Sequence, residues 1–425
     1  MMAVLRLALK SAWARRPTLG IVLVAIAIAS ALLLAVERVR HDARQSFTQS
    51  VSGVDLVVGA RSGGVQLMLY AVFHSGSATN NLRMDSFAAI AMNPAIDWAV
   101  PLALGDSHRG FPVLGTTPDY FRHLRYAATR SLVFAAGRPF AGTVDDVFET
   151  VLGSAVAREL GYRTGDRITL THGMPAGGIG SPEHADKPFA VVGVLAPTGT
   201  PIDRTVHVSL EAITAIHLDW AGGAPLPGLS IPAEQVRKFE LGPQEITAAL
   251  IGLKNRADVF RVQRQINGYR GEALTAVMPG VALDELWQAL ATVERTLFVL
   301  SALVVAVGLA GLAATMLAAL DQRRRELAIL RSLGASPGDL FLMLACEALL
   351  VTALGVLVGA GLLTGGSALA APLAREFGIH LSSGLPGGSE WTILASILAT
   401  GLAAGLIPGW RAWRMALADG LTPRN

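Results

Sequence analysis

The chain has 425 residues, 52% of them hydrophobic and only 16% charged, with a mean hydropathy of +0.47, whereas soluble domains carry about 25% charged residues. That composition disfavours a single soluble globule, so membrane spans are sought first. The formal charge of +3 is no argument for nucleic acid: residues 37–295 hold 23 Lys/Arg against 25 Asp/Glu, and the basic excess, 12 against 7, lies in the remainder, beside the apolar runs where it sets membrane topology.

Residues 1–16 place Leu5, Leu9, Ala12 and Trp13 on one helical face and Arg6 and Lys10 elsewhere, the pattern of a short cytoplasmic helix lying on the inner leaflet. The run 17–36 has no charged residue and is long enough to cross about 30 Å of hydrocarbon. No small-residue cleavage site follows it before Glu37, so it is expected to remain as a span rather than leave as a signal peptide.

The segment 37–295 is expected to be a large extracytoplasmic domain. It begins with a polar helical stalk to about Ser52, followed by a buried strand at 54–59. Residues 61–81 are rich in Gly, Ser and Asn and read as a loop or hairpin, and a helix follows from Met84 to Ala91. Further on, 150–154 reads as a strand, 155–160 as a helix ended by Gly161, 189–195 and 206–208 as strands, and 210 onward as a helix. Residues 221–244 read as a linker or surface loop, 250–254 as a last strand, and 259–267 as a helix. The mixture predicts an α+β domain.

Within it, His172, Glu183, His184 and Asp186 lie in a glycine-rich stretch, with His207 and His217 beyond. Such groups bind Zn²⁺ when they converge. Their spacing is irregular, and the expectation is a solvated loop with incidental histidines and no metal. No Gly-x-Ser-x-Gly or His-Glu-x-x-His pattern occurs, so no catalytic residue is expected. Cys346, the one cysteine, lies in an apolar run, which excludes an intrachain disulfide or a Cys-based metal site.

Three more spans are predicted at 296–320, 340–369 and 391–410, the last beginning and ending with Trp, a residue favoured at the membrane interface. The third carries Glu347, expected to pair with a basic group near the cytoplasmic interface. It also carries Gly355-x-x-x-Gly359, a spacing that permits close helix packing. Arg323, Arg324, Arg325 and Arg331 fill the 321–339 loop, Arg411, Arg414 and Arg424 follow the fourth span, and the 370–390 loop holds Arg375 beside Glu376 and Glu390. The positive-inside rule then puts both termini, the 321–339 loop and the 411–425 tail in the cytoplasm. The expected fold is four transmembrane helices with the mixed α+β extracytoplasmic domain inserted between helices 1 and 2.

The loop Gln322-Arg323-Arg324-Arg325-Glu326-Leu327-Ala328-Ile329-Leu330-Arg331-Ser332-Leu333-Gly334-Ala335-Ser336 resembles the loop signature of MacB/FtsX/LolC-type ABC transporter permeases. The segment Pro408 to Arg414, the stretch LGSAVARELGYRTGDRITL and FAVVGVL resemble other parts of the same family, so the resemblance covers nearly the whole chain. It implies a permease subunit for export or mechanotransmission in the inner membrane, working as a homodimer bound to an ABC ATPase, with a lipoprotein, peptide or hydrophobic small molecule as cargo or periplasmic partner, or with no cargo at all. It also implies that the loop is the coupling helix touching the ATPase, with Glu326, Arg331, Leu333, Gly334 and Ala335 as contacts. Read from its residues alone, the loop is a short helix carrying both charge signs and an exposed Leu-Gly-Ala step, fit to dock on a cytosolic protein. No Gly-x-x-x-x-Gly-Lys-[Ser/Thr] phosphate loop occurs, a departure from MacB, which carries its own ATPase. ATP is therefore expected on a separate chain, with no cofactor on this one and no enzymatic activity of its own. The competing readings are an ATP-independent membrane-anchored receptor or scaffold and a membrane-anchored hydrolase.

Overall fold

The computed structural model describes residues 16–414 apart from 77, 79, 128, 174–182, 222–223, 323, 377–381, 383 and 385. The helix expected at 1–16 and the tail beyond 414 lie outside the described residues, save for Arg16. The chain runs from α1 (Arg16–Gln49) through β1 (Leu56–Ala60), α2 (Gly64–Ala71), α3 (Met84–Ala91), β2 (Ile96–His108), β3 (Phe111–Thr116), α4 (Asp119–His123), β4 (Phe134–Gly137), β5 (Glu149–Leu152) and α5 (Ser154–Leu160). It continues through β6 (Arg167–Ile168), β7 (Thr171–His172), β8 (Phe189–Leu195), β9 (Val206–Ser209), α6 (Leu210–Ile216), β10 (Ala248–Leu253), α7 (Val259–Asn267) and β11 (Leu274–Val277). It ends in α8 (Pro279–Gln322), α9 (Arg324–Ser332), α10 (Pro337–Glu376) and α11 (Gly388–Arg414). Two compact units result: a membrane unit, Met1–Ala43 with Leu290–Asn425, and an inserted domain, Arg44–Ala289.

In the membrane unit, α1, α8, α10 and α11 are long and apolar enough to cross a bilayer. Each helix outruns its predicted span, because hydropathy marks the part suited to lipid and not the whole helix. Their shared core contains Ile26 and Leu34 of α1, Leu312 and Met316 of α8, Leu344 and Ala348 of α10, and Ile397 of α11. Small residues let the backbones approach. A Cβ on Gly355 would stand 2.8 Å from Ile26 Cγ2, and one on Gly359 would collide with Ser30 Oγ, so both glycines of the 355–359 pair face α1. A second stripe, Gly401, Gly405 and Gly409 of α11, lies against Thr352, Ala348 and Phe341 of α10. Glu347 is fully buried.

The inserted domain is built on an eleven-stranded sheet in the order β11-β1-β10-β2-β3-β9-β5-β8-β4, with β7 added to β2 and β6 to β8. The β3–β9 and β5–β8 pairs are parallel and the other ladders antiparallel. Every residue of β1 and β10 is buried, as in strands covered on both faces. By contrast β8 alternates buried and half-buried residues along FAVVGVL. Residues 61–81 are not simply a loop or hairpin: they contain α2, whose Leu67, Met68, Tyr70 and Ala71 are buried. The flanking Gly and Ser residues obscured that helical period. At Gly161 the chain does turn as expected, in the left-handed region at φ 74° at the end of α5.

One irregularity positions a functional group. The β2–β3 register shifts between Leu104 and Asp106, leaving Gly105 as an extra residue. A bulge of this kind re-aims the side chain beside it. Asp106 consequently lies opposite His172 of β7 and is 2% exposed.

Candidate functional site

The loop between α8 and α10 is a helix–turn–helix corner. At the end of α9 the Gly334 N–H donates to the Arg331 carbonyl (3.1 Å) and the Ala335 N–H to the Leu330 carbonyl (3.1 Å). With Gly334 at φ 100°, this is the Schellman arrangement, in which glycine supplies the left-handed residue. The next helix starts at once. The Ser336 N–H donates to Asp339 Oδ2 (2.9 Å), and the Asp339 N–H donates to Ser336 Oγ (3.2 Å). This reciprocal cap is followed by Pro337 at the first helical position, where a missing N–H costs nothing.

That corner divides the faces of α9. Leu327 and Ala328 are buried, Leu327 within the membrane-unit core, while Ile329 is 55% and Leu333 79% exposed. Being four residues apart, Ile329 and Leu333 share one face and form an uncovered apolar step. Gly334 is exposed beside them, and Ala335 and Arg331 are half-buried. Glu326 lies in α9, with its side chain outside the described residues.

At the other end of the spans, Arg38 of α1 donates from Nε and Nη2 to both carboxylate oxygens of Glu390 of α11, at 2.7 and 2.8 Å. The pair is 3% and 6% exposed, and the Gly387 N–H gives Glu390 a third bond at 2.7 Å. One turn further along α1, Asp42 accepts from the Ser382 N–H (2.8 Å) and hydroxyl. Sequence reasoning missed this clasp, since its partners are 352 residues apart.

The inserted domain holds the second cluster. One ligand atom from each of Asp106, His172, His184 and His217 lies within 4.8 Å of the other three. His172 Nδ1 is 3.2 Å and His217 Nε2 3.6 Å from Asp106 Oδ1, and the two ring nitrogens are 2.9 Å apart. His184 is fully buried and packs on Trp220 with ring centres 4.1 Å apart. Neither of its ring nitrogens has a hydrogen-bond partner, and Asp106 Oδ1 also has none of good geometry. Burial pushes His184 down to about 4, so the ring is neutral at pH 7. Burial would raise Asp106, but its histidine neighbours hold it at about 2. His217 moves the other way: burial would lower it, and the nearby Asp106 carboxylate, with the bond to the Ile213 carbonyl, raises it.

A buried ion pair holds the segments bearing these histidines. Lys187, fully buried, donates to both carboxylate oxygens of Asp219 at 2.8 and 3.0 Å, three residues after His184 and two after His217. Burial would raise Asp219, but the bonds from Lys187 and the Ile231 N–H keep it below the usual carboxylate range. His184 is thus buried, and His172 and His217 are half-buried, rather than carried on a solvated loop. Of the four residues singled out in sequence, His172 and His184 converge. Glu183 is exposed and takes a bond from the Thr169 hydroxyl, and Asp186 bonds Lys187 instead. Asp106 and His217 complete the cluster, and His207 lies apart, buried near Tyr120 and Phe121.

Residues 18–269 match the family described as MacB-like periplasmic core domain, and residues 298–417 match FtsX-like permease C-terminal. Among solved structures, the periplasmic region of MacB from Actinobacillus actinomycetemcomitans is similar at 12% identity over 56% of this chain and 94% of that one, with a TM-score of 0.33. The extracellular domain of the noncanonic ABC-type transporter YknZ from Gram-positive bacteria is similar at 12% identity over 53% and 99%, with a TM-score of 0.31. No curated protein sequence matches the chain.

Proposed function

Since the chain belongs to the MacB/FtsX family of ABC transporter permease subunits, we propose that it couples ATP hydrolysis by a separate cytosolic ABC ATPase to movement of its inserted domain on the far side of the inner membrane. The observation that carries this reading is the capped corner at 329–339, which leaves Ile329 and Leu333 uncovered beside the Gly334 turn. An apolar step of this kind on a basic cytoplasmic loop suits a groove on a soluble protein, with Glu326, Arg331, Gly334 and Ala335 around it. ATP is bound and hydrolysed by that partner, and this chain carries no catalytic group for the step. Transmission is served by α1 and α8, each an unbroken helix from a span into the sequence of the inserted domain.

A homodimer gives the ATPase pair its two docks. The exposed apolar face of α1, with Ile21 at 73%, Val24 at 53% and Ile28 at 56% exposure, and the groove of about 450 Å³ between α1 and α10 offer surface for lipid or a second copy. The cargo is a lipoprotein, a peptide or a hydrophobic small molecule met by the inserted domain.

Orientation is tested by reporter fusion. A reporter active only outside the cytoplasm is expected to work when joined within residues 200–230 and to fail at 330 or 425. Activity at 330 would place the dock on the wrong side and end this reading.

A further inference from the structure

We propose that Asp106, His172, His184 and His217 form a transition-metal site in the inserted domain, with zinc as its first candidate. Three imidazoles and one carboxylate are a donor set that Zn²⁺ takes in four-coordinate sites. Ligands at about 2.0–2.1 Å from a tetrahedral ion lie about 3.3 Å from one another. The separations of 2.9, 3.2 and 3.6 Å among Asp106, His172 and His217 bracket that value, and the outer limit of 4.8 Å requires only small side-chain adjustment.

Two observations point to a cation rather than to a hydrogen-bonded histidine cluster. First, His217 Nδ1 lies 2.8 Å from the Ile213 carbonyl, which can only accept, so Nδ1 carries the proton. In the neutral ring Nε2 is then an acceptor: the His172 Nδ1–H can donate to it at 2.9 Å, which leaves the buried Asp106 Oδ1, 3.6 Å from Nε2, with no hydrogen of its own. A carbonyl that fixes the tautomer in this way is the usual outer partner of a metal-bound histidine. Second, His184 is fully buried with both ring nitrogens unpartnered. A buried polar group is left in that state only at a cost, and a metal ion in the cluster satisfies one of the two nitrogens.

The cluster is built rather than accidental. The Gly105 bulge aims Asp106, the β7–β2 register sets His172 opposite it, and the end of α6 sets His217. The Lys187–Asp219 pair ties the segment of His184 to that of His217. Four protein ligands with no open position describe a structural or sensing ion rather than a catalytic one. His172 and His217 remain 33% and 26% exposed, which leaves the ion a way in from solvent.

The full chain, purified in detergent and stripped with chelator, is dialysed against Zn²⁺ and, separately, Co²⁺. The expected result is one zinc per chain at sub-micromolar affinity, with Co²⁺ giving the visible ligand-field bands of a four-coordinate site. His184→Ala and Asp106→Asn should each weaken zinc by at least about 100-fold, beyond the roughly 10–100-fold typical of losing an outer partner. Glu183→Gln, whose side chain stands outside the cluster and accepts from the Thr169 hydroxyl, should bind like the parent chain. Circular dichroism and gel filtration establish that each variant is folded. If a ligand variant unfolds, the parent's Co²⁺ spectrum and a zinc-dependent rise in its unfolding temperature still decide. No stoichiometric zinc on the parent chain, an octahedral Co²⁺ spectrum, or equal loss in the Glu183 variant would overturn the site.

Discussion

Replacing Leu333 and Gly334 with Asp is expected to detach the ATPase while leaving the permease inserted in the membrane. Leu333 is 79% exposed, and covering such a side chain contributes about 1.5–3 kcal/mol. A carboxylate in the same contact forfeits that gain and adds a desolvation cost unless it meets a basic group. At Gly334, with φ 100°, any Cβ strains the left-handed turn by roughly 1–2 kcal/mol and loosens the bonds that set the angle between α9 and α10. Together the changes correspond to a loss of affinity on the order of 100-fold or more, since each 1.4 kcal/mol is tenfold. The measurement is retention of ATPase on the immobilised permease, with Gly334→Ala separating turn strain from charge. Unchanged retention of the ATPase by the double variant would remove these residues from the interface.

Arg38→Ala is expected to destabilise the membrane unit by about 3–5 kcal/mol, the range for breaking a buried pair so that one charge is left uncompensated. Glu390 would keep only the Gly387 N–H for a carboxylate 6% exposed. Glu390→Ala should be comparably damaging, because the guanidinium is then the orphan. The double substitution Arg38→Met with Glu390→Met should recover most of the loss, since well-packed apolar replacements of buried pairs are often neutral or better. Unfolding temperatures of the three variants in one detergent settle the matter. Additive losses in the double variant would mean that the two side chains do not act as a pair.

What was legible in the sequence follows physical lines. The spans were readable because lipid tolerates no charge, and 17–36 and 296–320 contain none. Short strands such as β8 were readable because their apolar runs are bounded by polar residues. The clasp was not, since nothing local in Arg38 or Glu390 points 352 residues along the chain. The histidine cluster was half visible: His172 and His184 drew notice, but sequence adjacency grouped them with Glu183 and Asp186. Convergence was decided by a bulge at Gly105, by strand register, and by His217 closing a helix four residues after Ile213. Only the last leaves a local trace, as an imidazole at the end of a mostly apolar helix.

The ATPase partnership is tested most directly by capturing the full chain from its native membranes and identifying what comes with it. An ABC ATPase subunit is expected at one copy per permease chain, held in the presence of a non-hydrolysable ATP analogue and lost with the Leu333→Asp, Gly334→Asp variant. A correctly inserted wild-type chain recovered with no ATP-binding subunit under those conditions would contradict the coupling account and favour an ATP-independent receptor or scaffold.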